Sequence, residues 1–575
     1  MLRFVLLGLL VGACAPARST TPSGETVAAE PAPSAYTFPE RDRLRSALDS
    51  APAPDRIFDA DGRSDAPWTL EVTLPPLPEQ APHEAESGPG RLVTELTAAR
   101  AATATDGAQC LAAALAAHVT THGGRPSESR RGFIASRCGV VSPHIEVYGR
   151  GWSGVSDGPD AALWAQVQGE VRPWAESQVP DAPAHVGLAM ARSGDQAALV
   201  LVVERPRVQL ETVRPMPDES GEKVIVRGRL LMPTATVQGF VNQGPVGVAR
   251  CHPLPGLTLP EFALECPMDG ADAVARIDVM AYAPNRALGE PAAHLLARRP
   301  DADVRAQALP DVGEPAPATD AETFARLLVE RVNGLRAAHR MRPLELAEAQ
   351  SATMTPAMGH FFAPDTQPEV HDLIALTMLA GWEVGGTIAD AILAGGSAET
   401  RDAAQWLARS LDRPMMRATL MDPEANRLAI ASVVEEGGIA AMAASYELYD
   451  PARSPFGQGA QRMLERIARE RAARGLPPLQ EIPDPQGQLA AEVDRARTGG
   501  KAPNLVLQAA LQRASREWGT SVQGMVAHVG GDPYENEVPA ELLQPGPLRL
   551  QAASTFIQPE GSPWGQWLVV LLVAQ

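Results

Sequence analysis

With 575 residues, Lys+Arg 50 against Asp+Glu 69 and a formal net charge of −19, the chain is too long for one core and too acidic to attract phosphate backbones. Composition predicts several domains of roughly 100–200 residues each, excludes nucleic acid as a partner, and offers no basic patch to hold an anionic bilayer. Aromatic residues make up 5% of the chain, so its cores must be built mainly from Leu, Val, Ala and Ile.

The first fourteen residues carry one basic side chain, Arg3, a short apolar run from Phe4 to Leu10, and the small pair Gly12-Ala13 before Cys14. That run is too short for a permanent membrane helix, and no later segment is long and apolar enough to be one. The stretch resembles a bacterial lipoprotein signal, which implies that Cys14 becomes the lipidated first residue and that the lipid is the membrane partner. Ala15 stands where many inner-membrane lipoproteins carry Asp, so the resemblance implies the outer membrane of a bacterial envelope.

From residue 15 to 64 the sequence is rich in Pro, Ala, Ser and Thr and reads as a disordered tether. Within it, Asp59-Ala60-Asp61-Gly62 lacks the downstream Glu of a calcium loop and reads as a solvated turn. Residues 65–206 form an α/β region. Helices are predicted over Leu92 to Arg100 and Cys110 to Val119, the latter stopped by Gly123-Gly124, and a buried hairpin around Ser193-Gly194-Asp195. Residues 207–299 predict a small antiparallel β-sandwich with short strands at Val224-Ile225-Val226, Gly228 to Leu231, Phe262-Ala263-Leu264 and Ile277-Asp278-Val279. A linker is predicted over 300–320.

Apart from Cys14, four cysteines remain, an even number that suits an oxidising compartment. Cys110 with Cys138 and Cys251 with Cys266 each fall inside one predicted domain and are read as disulfides. Zinc binding by all four is the competing reading, and it lacks any Cys-x-x-Cys pair.

Two further α/β modules, 321–452 and 453–575, open alike. Glu330-Arg331-Val332-Asn333-Gly334-Leu335-Arg336-Ala337-Ala338 leads to Arg342-Pro343-Leu344, and Glu465-Arg466-Ile467-Ala468-Arg469-Glu470-Arg471-Ala472-Ala473 leads to Pro477-Pro478-Leu479 at the same spacing. Phe324, Leu328, Val332 and Leu335 give the first of these helices a buried stripe. In the last module a helix over Leu505 to Trp518 and strands over Val522 to Val529, Leu548 to Ile557 and Trp567 to Val573 are predicted.

The 321–452 stretch resembles the CAP superfamily of cysteine-rich secretory, antigen 5 and pathogenesis-related proteins. The ordered matches are the opening helix, Met358-Gly359-His360-Phe361, Ala380-Gly381-Trp382, Val384-Gly385, Ala403-Ala404-Gln405-Trp406-Leu407 and Arg417 to Pro423, followed by strands over Leu428 to Val434 and Ile439 to Leu448. The resemblance implies αβα sandwiches, with 453–575 a second degenerate copy and 65–206 a remote third. It also implies a cleft that can hold a divalent metal on two His and two Glu, and here this sequence departs from it. The first His falls on Ala363, the first Glu on Gly386, and the second His on Met416 or Asp412; Glu399 lies near the second Glu. A shifted site would have to use His360, His371 and Glu399.

Elsewhere, His118 and His122 share a helix face, but no Glu follows as in His-Glu-x-x-His, and the helix end alone favours histidine. Ser153, in Gly151-Trp152-Ser153-Gly154, lacks the Gly two places after the serine that a nucleophile elbow requires, and Glu435-Glu436 beside Gly437-Gly438 reads as a hairpin tip. The sequence thus points to multidomain α/β and β architecture and to a lipid-anchored protein that binds or scaffolds. No catalytic residue, cofactor or metal is assigned, and the ligand would be an envelope protein, glycan or lipid. The alternative is a metal-dependent envelope hydrolase using the shifted site.

Overall fold

Three times along the chain come a helix, a short strand, further helices, one longer strand and a closing pair of longer strands, with helices before the closing pair in the first two copies and a 3₁₀ turn there in the third. The computed structural model describes residues 38–50, 57–58, 71–77, 88–99, 102–155, 160–179, 183–218, 220–254, 256–268, 274–284, 286, 288–299, 302, 304–363, 366–484, 486–499, 503–518, 522–530, 533 and 538–574. The lipobox-like Cys14 and the Asp59 to Gly62 turn lie outside them.

The segment expected to be a free tether is partly folded. A short helix, α1 (Arg43–Ser50), buries Leu44. Beyond it, β1 (Glu71–Thr73) begins the approach to the first module. Composition hides this because the few apolar residues, Phe38, Leu44, Leu48 and Phe58, are scattered among Pro, Ala and Ser yet find apolar surfaces elsewhere in the molecule.

The first module contains α2 (Gly88–Ala99), β2 (Ala102–Ala104), α3 (Asp106–His122), α4 (Glu128–Cys138), β3 (Ile145–Trp152), α5 (Asp160–Gln178), β4 (Ala184–Ser193) and β5 (Gln196–Glu204). Thr105 caps α3 by accepting from the Ala108 N–H, and Gly123, at φ 74°, ends it. The sheet order is β2-β4-β5-β3, with β2 parallel to β4 and the other pairs antiparallel. Strand β5 is apolar at successive positions because both of its faces are covered. Ala198, Val200 and Val202 meet α3 and α4, while Leu199, Leu201 and Val203 meet α2 and α5. Gly187 has a steric reason: a Cβ there would run into the α3 backbone at Ala108. The Cys110–Cys138 disulfide ties α3 to α4. Neither α4 nor α5 was predicted; α4 is rich in Arg and Ser, and α5 carries Gly169 and Pro173 inside it.

A β-rich body follows: β6 (Val208–Leu210), β7 (Lys223–Leu230), β8 (Thr236–Gln243), β9 (Gly247–Pro253), β10 (Glu261–Pro267), β11 (Val274–Tyr282) and β12 (Glu290–Arg298). They run in the order β12-β11-β8-β9-β10-β7-β6, all antiparallel. Strand β9 pairs with β8 through one stretch and with β10 through the next, so the two halves it joins enclose one core around Val226, Val241, Leu264 and Ile277. The Cys251–Cys266 disulfide lies in that core between β9 and β10. The two short strands predicted at 224–226 and 228–231 are one strand, β7, running through Gly228, where a Cβ would meet the Gln209 carbonyl oxygen at 2.5 Å.

The predicted linker over 300–320 is also folded. In it β13 (Ala306–Ala308) pairs with β1, and Val312, Ala316 and Ala318 enter the core of the next module. That module comprises α6 (Ala321–Ala338), β14 (Glu345–Leu346), α7 (Glu348–Met354), a 3₁₀ turn, α8 (Met358–Phe362), α9 (Pro368–Ala380), β15 (Ile388–Ala398), α10 (Ala403–Leu411), α11 (Pro414–Leu420), β16 (Arg427–Glu435) and β17 (Gly438–Leu448). Its sheet, β14-β16-β17-β15, repeats the first module's order and its parallel and antiparallel pairings. Helices α6, α10 and α11 cover one face around Phe324, Trp406 and Ile430, and α7 to α9 cover the other around Met358, Met378 and Met442.

The last module has α12 (Gln458–Ala473), β18 (Leu479–Glu481), α13 (Gln488–Gly499), α14 (Pro503–Trp518), β19 (Val522–Gly530), β20 (Leu548–Ile557) and β21 (Gln566–Ala574). Order β18-β20-β21-β19 is the same again, with helices on both faces. The repeat extends to single residues. Fully buried Arg336 on α6 donates to the carbonyls of Arg342, Leu420, Asp422 and Ala425. Arg471, its counterpart on α12, donates to those of Pro477, Leu542, Gln544 and Gly546. Each guanidinium fork satisfies otherwise orphaned loop carbonyls and locks the opening helix to the segment before the long hairpin.

Candidate functional site

In the central module, the wall beside the start of α9 gathers half-buried aromatic and imidazole side chains. Helix α8 is a single turn that ends at Ala363, and it presents Phe361 and Phe362 edge to face with ring centroids 5.0 Å apart. Both rings approach exposed Gly395 on β15, where a Cβ would sit 3.5 Å from each, in ordinary van der Waals contact. From α9, His371 brings its ring to 5.3 Å from Phe361. Its Nε2 is buried without a hydrogen-bond partner. Burial lowers the His371 pKa, Arg286 acts in the same direction, and Asp372 opposes both. Arg286, from the β11–β12 loop, pairs with Asp372 at 2.5 Å and so fastens the β-rich body to α9. His360 accepts through its carbonyl from the Thr366 hydroxyl.

Glu399 does not join these histidines in a ligand set. It is exposed just past β15 and acts electrostatically on Arg409 of α10, on the opposite face of the sheet from α8 and α9. Among the described residues, no group of three or more His, Cys, Asp or Glu is placed to hold a metal ion. The positions at which the CAP resemblance would put ligands are otherwise occupied. Ala363 and Met416 are buried, and Gly386, at φ 80°, lies against Leu448.

Asp412, the other position for the second His, has a different environment. Buried after α10, it accepts from Arg276 of β11 at 2.9 Å, Ser129 of α4 at 2.7 Å and Gln307 of β13 at 3.1 Å, while its carbonyl accepts from Asn242. Alongside, buried Asp278 accepts from His294 at 2.6 Å and from the Met415 N–H at 3.1 Å, and Arg413 pairs with Glu128 at 2.7 Å. Burial pushes the Asp278 pKa up, but His294 and the Met415 N–H more than offset it, and the net shift is downward. These groups belong to three bodies and bond to one another across them, although Asn242 Oδ1 and His294 Nε2 stay buried without a partner. They form a structural junction, and their sequence positions, far apart and in different modules, gave no sign that they would meet.

The α3 histidines form a stack. Their centroids lie 4.3 Å apart, His118 is 4% exposed, and His122 donates from Nδ1 to the His118 carbonyl at 3.2 Å. Burial, followed by His122 and Arg130, lowers the His118 pKa to about 4. Ser153 stands exposed on the turn after β3, and Glu435 is the last residue of β16, pairing with Gly438 across the expected hairpin. Sequence reading passed over one further pair. Half-exposed His185 on β4 bonds through Nδ1 to buried Glu204 at 2.9 Å, and Glu204 also accepts from the Ser142 N–H. Its only signal was a carboxylate closing the apolar run of β5. The sequence matches no family model and no curated protein.

Proposed function

We propose that this chain is a lipid-anchored protein of the bacterial envelope, held through Cys14 in the outer membrane, whose degenerate CAP-like modules bind or scaffold an envelope protein, glycan or lipid. One observation carries the reading. Three sheets share one strand order with helices on both faces, while the central copy has Ala363, Gly386 and either Met416 or Asp412 where the resemblance would put metal ligands. An aromatic wall beside exposed Gly395 offers apolar surface to a ligand, and borderline metals prefer imidazole ligands to a lone carboxylate beside a Met.

Elemental analysis of the purified full-length chain, before and after zinc reconstitution, tests this reading together with fractionation of a Cys14→Ser variant. The expected result is release of that variant from the membrane fraction and no stoichiometric metal. Stoichiometric zinc that is lost in His360→Ala or His371→Ala would replace it with the hydrolase reading.

A further inference from the structure

Strand β3 closes one side of the first module's sheet, and among the described residues it pairs with β5 alone. Its alternation sends Val147 toward α3 and α4, while Tyr148 and Trp152 pack on the opposite face with α2 and α5. Arg150 stands exposed between those two on the same side of the strand. Helix α5 completes the wall. Trp174 lies 5.6 Å from Tyr148 at 54°, Glu170 accepts from the Tyr148 hydroxyl at 3.1 Å, and Gln166 accepts from the Trp152 indole N–H at 3.2 Å.

The chain has only 9 Trp and 6 Tyr, so three half-buried rings on one wall are a large share of what it has. Sealing the core beneath would need only their apolar bodies. Here each outer ring is also anchored at its polar tip by an exposed bond to α5, which fixes the ring plane at the surface. A pyranose presents apolar C–H faces to such rings and a rim of hydroxyls to carboxylate and amide oxygens. Arg150, between the rings, adds a planar donor suited to a carboxylate.

We propose that this shelf binds a glycan whose sugars carry carboxylates, with Tyr148 and Trp152 stacking on sugar rings and Arg150 pairing with a sugar carboxylate. The two rings lie four residues apart on one strand, roughly 13 Å, so an oligosaccharide rather than a single sugar spans them. This deepens the binding reading by naming a ligand class, and it requires neither the CAP resemblance nor lipidation.

The test titrates full-length protein with oligogalacturonate and with its carboxyl-reduced, neutral counterpart, following tryptophan fluorescence, and adds co-sedimentation with peptidoglycan sacculi. Wild type should bind the acidic oligosaccharide saturably. Arg150→Gln, at an exposed position that the fold does not need, should weaken that binding roughly tenfold and leave the neutral oligosaccharide unaffected. Trp152→Ala should weaken both, and Trp152→Phe should restore most of the loss. Absence of saturable binding to either oligosaccharide and to sacculi would overturn the proposal, as would equal affinities for wild type and Arg150→Gln. Saturable binding of an extended peptide in place of glycan would also overturn it and assign the edge of β3 to strand pairing. Envelope pull-downs by the same variants separate the two ideas: partners retained by Arg150→Gln and Trp152→Ala would remove the shelf and keep the broader binding reading.

Discussion

His118 lies in α3 with both ring nitrogens buried and without a hydrogen-bond partner. A neutral imidazole tolerates that position far better than an imidazolium, which is why its pKa falls from 6.5 to about 4. The folded-state pKa is the lower one, so between about pH 6.5 and pH 4 the unfolded chain binds a proton that the folded chain refuses. Stability of the first module should therefore fall as pH drops through that window, by about 3 kcal/mol, and level off below it. Urea melts at successive pH values check this, and His118→Phe should flatten the slope; an unchanged slope would place the titrating group elsewhere. The sequence showed two histidines on one helix face but not that His118 is buried while His122 stays exposed, because depth depends on what packs against the helix. Depth and direction also decided the fate of His360, His371 and Glu399. The resemblance offered them as one shifted site, whereas only the sheet shows that Glu399 works against Arg409 and the histidines lie beyond the opposite face.

At the scale of elements, the hairpins and the modules' opening helices were legible because their apolar patterns are strong. Strand β17 was expected over Ile439 to Leu448 and spans Gly438–Leu448. What composition hid was the lacing. Phe38 stacks on Trp564 of the last module at 5.6 Å, Trp382 donates to the Pro39 carbonyl, Arg41 lies over the Trp382 ring, and Leu44 and Leu48 pack beside α9. Farther on, the Phe58 N–H donates to Glu435, and its ring comes so near Gly438 that a Cβ there would lie 2.7 Å away. A strap with so few anchors depends on each of them. Replacing buried Leu44 with Asp adds a desolvation cost to the lost apolar burial, about 3 kcal/mol in all, more than a short helix can recover from its own hydrogen bonds. Limited proteolysis should then cut after residue 50 well before the modules are attacked, with a shift in tryptophan emission from Trp382 and Trp564. Equal cleavage rates in wild type and variant would mean that the strap is not docked in solution.

For the whole molecule, the question is whether the modules behave as beads or as one body. Buried contacts argue for one body. The β20–β21 loop donates from the Trp564 indole to the Leu379 carbonyl, and backbone bonds link Ile388 with Pro563 and Gly565. Asp412 draws together α4, β11 and β13. Neither junction could be read from sequence, since each joins residues more than 100 positions apart, and a buried carboxylate looks in one dimension like any surface Asp. The Asp412 junction makes the sharper test. Asp412→Ala leaves Arg276, Gln307 and Ser129 without their shared acceptor, and breaking a buried pair from one side typically costs about 3–5 kcal/mol. That cost falls on the contact between bodies and not on either core. Calorimetry should therefore show the wild type's main transition split in the variant, with the first module and β-rich body melting apart from the central module. Arg276→Met combined with Asp412→Leu replaces both charges with apolar volume and should restore much of the coupling, giving a double-mutant interaction energy well above additivity. If both single variants melt as the wild type does and their effects simply add, the ion pair is not what couples the bodies, and cooperativity must reside in the apolar contacts around it.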